Sequence, residues 1–217
     1  MKVNIELQIL LIDTILDVLH ESCTSGGVCE IPEPTLWNGV IVQALDDLVA
    51  FGERDPASGG DLLLIAKTYT AYTAVLHYRL ASWVYRNVRL FGDMGELVCA
   101  LISKRGKLLS GAEINFKCTI GNRFVLDHGV GTVIGETAII GDDCYFLGGV
   151  ILGARGIAHN RPGQRHPHVG NGVQIGSFTS VLGPVRIGDN VFIGPTCVIS
   201  DDLPQGARVL AKRQKIR

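Results

Sequence analysis

The sequence predicts an α+β protein in which an N-terminal α-helical half precedes a C-terminal parallel β-helix, and three observations carry that reading. Ile114, Ile120 and Leu126 stand six residues apart, Ile134, Ile140, Phe146 and Leu152 repeat the spacing, and Val169, Ile175, Val181, Ile187, Ile193 and Ile199 extend it almost to the end. A helix face recurs every 3.6 residues and a strand face every two, so an apolar residue at every sixth position fits neither alone. It marks a hexapeptide repeat, in which each short strand sends one aliphatic side chain inward and three strands complete one turn of a prism. Gly follows the inward residue in Ile-Gly pairs at 120, 134, 140, 175, 187 and 193, as sharp corners and close backbone approach require. The composition agrees: 47% of residues are hydrophobic and only 6% aromatic, which suits a narrow aliphatic core.

Ahead of the repeats, Ile5, Ile9, Ile12, Leu16 and Leu19 recur at steps of four and three, with Glu6, Asp13 and Asp17 on another side. This predicts an amphipathic helix over 3–20. Residues 22–34 are rich in Gly, Ser and Pro and read as a loop. Further helices are expected over 36–51, over 62–86 with Tyr69, Tyr72, Leu76, Leu80 and Val84 on one side, and over 94–104. The chain therefore divides into a helical cap, 1–105, and a β-helix of about five coils, 106–217. Between Leu152 and Val169 the register slips, and the polar, Gly- and Pro-rich stretch between them reads as a loop, 153–168, thrown out of the coil. Excursions from a rigid solenoid usually serve a ligand.

A net charge of −1 gives no global field for nucleic acid or an anionic membrane. The opening stretch is too polar to span a bilayer. Six cysteines without CxxC spacing, and no basic-then-apolar signal segment, read as reduced thiols in a cytoplasmic protein.

Chemistry concentrates around His128. Leu126 fills an inward slot, so Asp127 and His128 fall on the corner or outer edge of the prism. A neutral imidazole is suited to taking a proton from a hydroxyl at neutral pH. Glu113 precedes it by 15 residues, near the same corner if a coil holds 18. It is either a partner that orients the imidazole or a solvated corner carboxylate. Cys118 and Cys144 lie within the coils and read as small buried thiols rather than acyl carriers.

The string from Leu126 to Asp142, LDHGVGTVIGETAIIGD, resembles the serine O-acetyltransferase signature. So do VILGARG at 150–156, RHPHVGNGV at 165–173 and RDPA at 54–57, in the family's order. The resemblance implies a left-handed β-helix, an exception to the usual crossover hand, assembled as a homotrimer or dimer of trimers with active sites between neighbouring prisms. It implies direct acetyl transfer from acetyl-CoA to the hydroxyl of L-serine, the step before the final enzyme of cysteine synthesis, with no metal. His128 would be the general base and Glu113 its orienting partner, Asp55 and Asp127 would receive the substrate ammonium, Arg165 its carboxylate, and His166 would contact the substrate or developing oxyanion. CoA would lie beside Gly153, Ala154, Gly176 and Ser177, where small residues admit a ligand to the backbone, and Lys212, Arg213 and Lys215 could attract its phosphates.

The chain departs from the family's pattern at several points. Glu113, Asn115 and Phe116 stand where the family has Asp, His and Pro, and Gly153, Ala154, Arg155 and Gly156 replace a Gly-Gly-Thr-Gly run in a longer loop that also carries His159 and Arg161. Arg217 follows soon after the last coil, so cysteine feedback and docking to a downstream enzyme are not carried over. Three other readings compete. The first is acetyl transfer to a different hydroxyl, such as homoserine, a serine derivative or a sugar. The second is a zinc lyase drawing on His128, His159, His166 and His168, and the third a non-catalytic assembly module.

Overall fold

The computed structural model describes residues 5–27, 31–160 and 162–211, so Cys29, Arg161, Lys212, Arg213 and Lys215 lie outside the described residues. Five α-helices precede the coils: α1 (Ile5–Gly26), α2 (Asn38–Arg54), α3 (Leu62–Thr68), α4 (Thr70–Arg86) and α5 (Gly95–Ser110). The chain then winds three parallel faces. The first stacks β1 (Glu113–Ile114), β4 (Val133–Ile134), β7 (Ile151–Gly153), β10 (Ser180–Leu182) and β13 (Val198–Ile199). The second stacks β2 (Thr119–Ile120), β5 (Ile139–Ile140), β8 (His168–Val169) and β11 (Arg186–Ile187). The third stacks β3 (Val125–Asp127), β6 (Tyr145–Leu147), β9 (Gln174–Ile175), β12 (Phe192–Ile193) and β14 (Arg208–Val209). Every aliphatic or aromatic residue of the hexapeptide series is buried. The helical half followed by a parallel β-helix is the architecture that the repeats predict.

Stacking at strand spacing dictates the corners. At the edge between the second and third faces, a Cβ on Gly121, Gly141, Gly170 or Gly188 would come within 2.4–2.5 Å of the coil above, so no side chain fits. Beside this glycine column runs a ladder of short polar side chains. Asp142 Oδ1 accepts the Asn122 N–H (2.7 Å), Asn171 Oδ1 the Asp142 N–H (2.8 Å) and Asp189 Oδ1 the Asn171 N–H (2.7 Å). Each coil thereby supplies an acceptor for an amide of the coil before it.

The first coil has no coil beneath it, and an uncovered strand edge invites association. The helical half covers that end. From α4, Tyr78 donates to the Cys118 carbonyl and accepts from the Ile120 N–H, both at 3.0 Å, while Arg79 donates to the carbonyls of Ile120 and Gly121. Arg79 is held by a fully buried Asp47 of α2, whose carboxylate also accepts the Phe124 N–H at 2.9 Å.

Helix boundaries differ from the expectations in instructive ways. α1 runs on to Gly26 through the stretch read as a loop, because Ser22, Cys23 and Gly26 are buried and Gly26 lies close to Val98 and Leu101 of α5. The helix expected over 62–86 is broken at Tyr69, which turns extended (ψ 105) and caps both pieces. The last helix continues past 104 to Ser110 and stops at Gly111 in the left-handed region (φ 72). No described helix is long and apolar enough to cross a membrane. The five described cysteines are unpaired and buried.

Asp47→Ala strands a buried guanidinium and should destabilise the protein by about 3–5 kcal/mol in urea unfolding; a loss under about 1 kcal/mol would show that the Arg79 cluster does not hold the two halves together. His77 is buried, Nδ1 donates to the Thr73 carbonyl at 2.8 Å, and burial lowers its pKa. An unfolded His titrates near 6.5, so the unfolded chain binds the proton first. The stability is complete above that pH and is lost as pH falls towards the folded value. Urea midpoints at pH 8 and pH 5.5 should therefore converge in His77→Gln relative to the parent, and an unchanged difference would exclude His77 as the cause.

Candidate active site

The site begins where the coil breaks its own rule. From Phe146 to Leu152, and from Ile175 to Val181, the chain turns from the third face to the first in six steps. From Leu126 to Ile134 it takes eight. The enlarged corner carries three residues with positive φ, His128 (63°), Gly129 (53°) and Gly131 (77°), and is pinched by a Val130 N–H to His128 carbonyl contact of 2.6 Å. A histidine in the left-handed region costs backbone energy and persists where the surroundings impose it. The imidazole projects outward, with its side chain 81% exposed in the single chain. Its Nε2 lies 3.7 Å from Asp127 Oδ2, and that same oxygen accepts the Tyr145 hydroxyl at 2.9 Å.

Asp55 reaches this corner from the helical half. The Arg54 guanidinium at the end of α2 donates to the Asp143 carbonyl (2.8 Å) and to its Oδ1 (2.7 Å). Arg123 joins the same Oδ1 at 2.8 Å and Glu53 at 2.7 Å. The end of α2 is thus bolted to the coils. Asp55 precedes Pro56 and is extended as such a position demands (ψ 103), its carboxylate accepting the Ala57 N–H at 2.9 Å. A hydrogen bond to Asp55 raises the pKa of Tyr69, with Asp127 contributing. Burial raises that of Tyr145, reinforced by Asp127 and then Asp55. Two carboxylates therefore converge on two phenols beside His128, an arrangement suited to a cationic group.

A second cluster lies on the next edge, between the first and second faces, where the chain leaves β7 and returns at β8. Arg165 pairs with Glu136, whose pKa is lowered chiefly by that hydrogen bond, and Lys117 stands 3.8 Å from the other Glu136 oxygen. His166 is buried against Gly135 and contacts Thr137 through Nδ1. No hydrogen bond or ion pair among the described residues joins this cluster to His128.

The other expected positions are distributed as follows. Glu113 opposes Val133 across 20 residues rather than 18, because the enlarged corner lengthens the first coil, and its carboxylate pairs with Lys107 of α5 rather than with His128. Gly153 and Ala154 are on the loop edge and Gly176 and Ser177 on the histidine edge. The smallness of Gly176 has a packing cause, since a Cβ there would meet Pro195 N at 2.4 Å. Arg155 is anchored to the Ser200 carbonyl and covers Gly183, so it secures the root of the loop. Burial pushes Cys118 up to about 12 and Cys144 to about 11, which leaves neither a thiolate at neutral pH. Among the described residues no three His, Cys, Asp or Glu side chains converge to hold a metal ion.

Comparison with known proteins places these features in context. The family model described as bacterial transferase hexapeptide (six repeats) matches residues 166–201. The chain is 39% identical to a serine acetyltransferase of Synechococcus elongatus over 73% of its own length and 61% of the relative's. It is 36% identical to one of Helicobacter pylori over 75% of its length and 90% of the relative's. Among solved structures, Entamoeba histolytica serine acetyltransferase isoform 3 in complex with cysteine matches with a TM-score of 0.74 at 29% identity, over 97% of this chain and 71% of that one. Neisseria gonorrhoeae serine acetyltransferase in complex with serine matches with a TM-score of 0.73 at 28% identity, over 92% and 73%.

Proposed function

This chain belongs to the serine acetyltransferase family, and from that premise we propose that it transfers the acetyl group of acetyl-CoA to the side-chain hydroxyl of L-serine. The observation that carries the reading is the convergence of Asp55 and Asp127 beside the outward imidazole of His128. In the proposed reaction the two carboxylates hold the substrate ammonium, which brings the hydroxyl to His128. The imidazole takes the hydroxyl proton as the oxygen attacks the thioester carbonyl. Collapse of the tetrahedral intermediate expels the CoA thiolate, and the imidazolium returns the proton to it, giving O-acetylserine and free CoA.

The substrate carboxylate belongs with Arg165, and the developing oxyanion with His166. These lie on the opposite edge of the first face from His128, so the reading assigns them to a neighbouring prism in a homotrimer. The outer face between the two edges supports that assembly. Its register runs Glu113, Val133, Ile151, Ser180, Val198, and Val198 is 72% exposed, with exposed Val130 and Phe178 on the histidine edge. CoA would then lie between Gly153 and Ala154 of one prism and Gly176 and Ser177 of the next. Glu113 acts on His128 in this reading only after exchanging its pairing with Lys107. Buried unpaired thiols support a cytoplasmic setting.

A thiol-release assay with acetyl-CoA against L-serine, L-homoserine and a simple sugar tests reaction and acceptor together. L-Serine should give the highest kcat/KM, and His128→Ala should lower kcat by about 10²–10⁴; activity retained in that variant, or a preference for the sugar, would sink the assignment. Arg165→Ala should raise the KM for serine by at least about tenfold while sparing the KM for acetyl-CoA, and an unchanged serine KM would remove Arg165 from the acceptor site.

A further inference from the structure

We propose that Thr137 is a positioning residue that holds His166 as the neutral tautomer with its proton on Nε2, so that this imidazole meets the acceptor as a hydrogen-bond donor. The proposal rests on the reading that His166 faces the acceptor.

The argument is one of obligate donors. His166 Nδ1 receives the Thr137 backbone N–H at 3.1 Å. An amide N–H can only donate, so Nδ1 must offer its lone pair, and the proton of a neutral ring is left to Nε2. The Thr137 hydroxyl reinforces this. It accepts the N–H of Arg165 at 3.0 Å and of His166 at 3.1 Å. With both lone pairs engaged by donors, its own hydrogen points to Nδ1, 2.8 Å away. The Thr137 carbonyl completes the clamp by accepting Gln164 Nε2 at 2.6 Å, and that amide also bridges to the His166 carbonyl at 2.7 Å. The amide, hydroxyl and carbonyl of this one threonine therefore all engage residues 164–166.

The ring cannot evade the clamp. It lies on Gly135, where a Cβ would come within 2.1 Å of it, and the residue is 8% exposed. Protonation at Nδ1 would set a new N–H against two donors already aimed at it. Burial and the Arg165 cation lower the pKa further, against the opposing charge of Glu136. Such an imidazole is a poor base and a constant donor through Nε2. The two histidines then divide the work: His128 takes the hydroxyl proton, and His166 donates towards the oxyanion without competing for that proton.

The test uses the full chain labelled with ¹⁵N. At pH 7.5 the His166 ring should show an unprotonated Nδ1 and a protonated Nε2, and a protonated Nδ1 in the parent protein would overturn the proposal outright. Thr137→Val keeps the volume and the backbone N–H but removes the hydroxyl that donates to Nδ1; it should move the ring ¹⁵N shifts and lower kcat by about 10- to 10²-fold, while Thr137→Ser should restore both. Unaltered ring shifts and kcat in Thr137→Val would also overturn it. If the shifts behave as stated but His166→Ala leaves kcat unchanged, the clamp stands and it is the acceptor-facing role of His166 that fails.

Discussion

The distance between stacked coils governs this molecule. Parallel strands lie about 4.8 Å apart, and at the edge between the second and third faces that spacing leaves no room for a side chain on Gly121, Gly141, Gly170 or Gly188. The same spacing lets each Asx side chain of the corner ladder accept an amide from the coil below. A column built this way has little freedom to slide or tilt. Residues on its outside consequently stand at fixed heights, and a loop that leaves the column must return to it at a set level. Gln164, Arg165 and His166 do so against Glu136 and Thr137, one coil below their own exit.

The candidate site residues stand where the column is interrupted. The corner at 127–133 contains two residues more than the corners above it, and His128 is held there in a left-handed conformation. The second interruption, the loop between β7 and β8, brings Arg165 and His166 to the other edge of the same face. A single prism thus carries two dissimilar polar clusters separated by an exposed, partly apolar surface. Joining the histidine edge of one copy to the loop edge of another would bury that surface and unite base, carboxylates, guanidinium and oxyanion donor, which is why the proposed chemistry and the proposed trimer stand together.

The coils were legible in the sequence because an interior this narrow accepts one aliphatic side chain per strand, and the six-residue period is the direct imprint of that limit. The boundaries of the helical half were less so. Tyr69 looks like one more member of an apolar stripe, yet it breaks the helix, and its pKa is raised by Asp55, 14 residues earlier in the helical half. Counting residues placed Glu113 near the histidine corner but assumed coils of equal length, and nothing in the spacing announced that Lys107 would take its carboxylate. Glu136 and Thr137 lie in the string that carries the resemblance, but nothing there marks them, since their partners arrive only when the loop returns. Tyr145 could have been found: it precedes the inward Phe146 and so must face outward, one coil above Asp127 and its neighbours.

Charge balance bears on which acceptor suits these two clusters. Asp55 and Asp127 are two carboxylates whose partners on this chain include neutral phenols, so an added ammonium meets negative charge left largely uncompensated by the phenols. Arg165 is different, because Glu136 already neutralises part of it. A single substrate carboxylate can share that guanidinium through its remaining N–H groups, whereas a more highly charged anion would meet Glu136 as a repulsive neighbour. A sugar hydroxyl brings neither an ammonium nor a carboxylate and would leave both clusters facing a ligand that cannot satisfy them, which costs affinity once water is excluded. Homoserine has both charged ends, and its extra methylene would have to be accommodated between two groups that the stacked coils hold at fixed positions. In the proposed reaction, the rigidity that would let the prism position a base would therefore also favour the shorter amino acid.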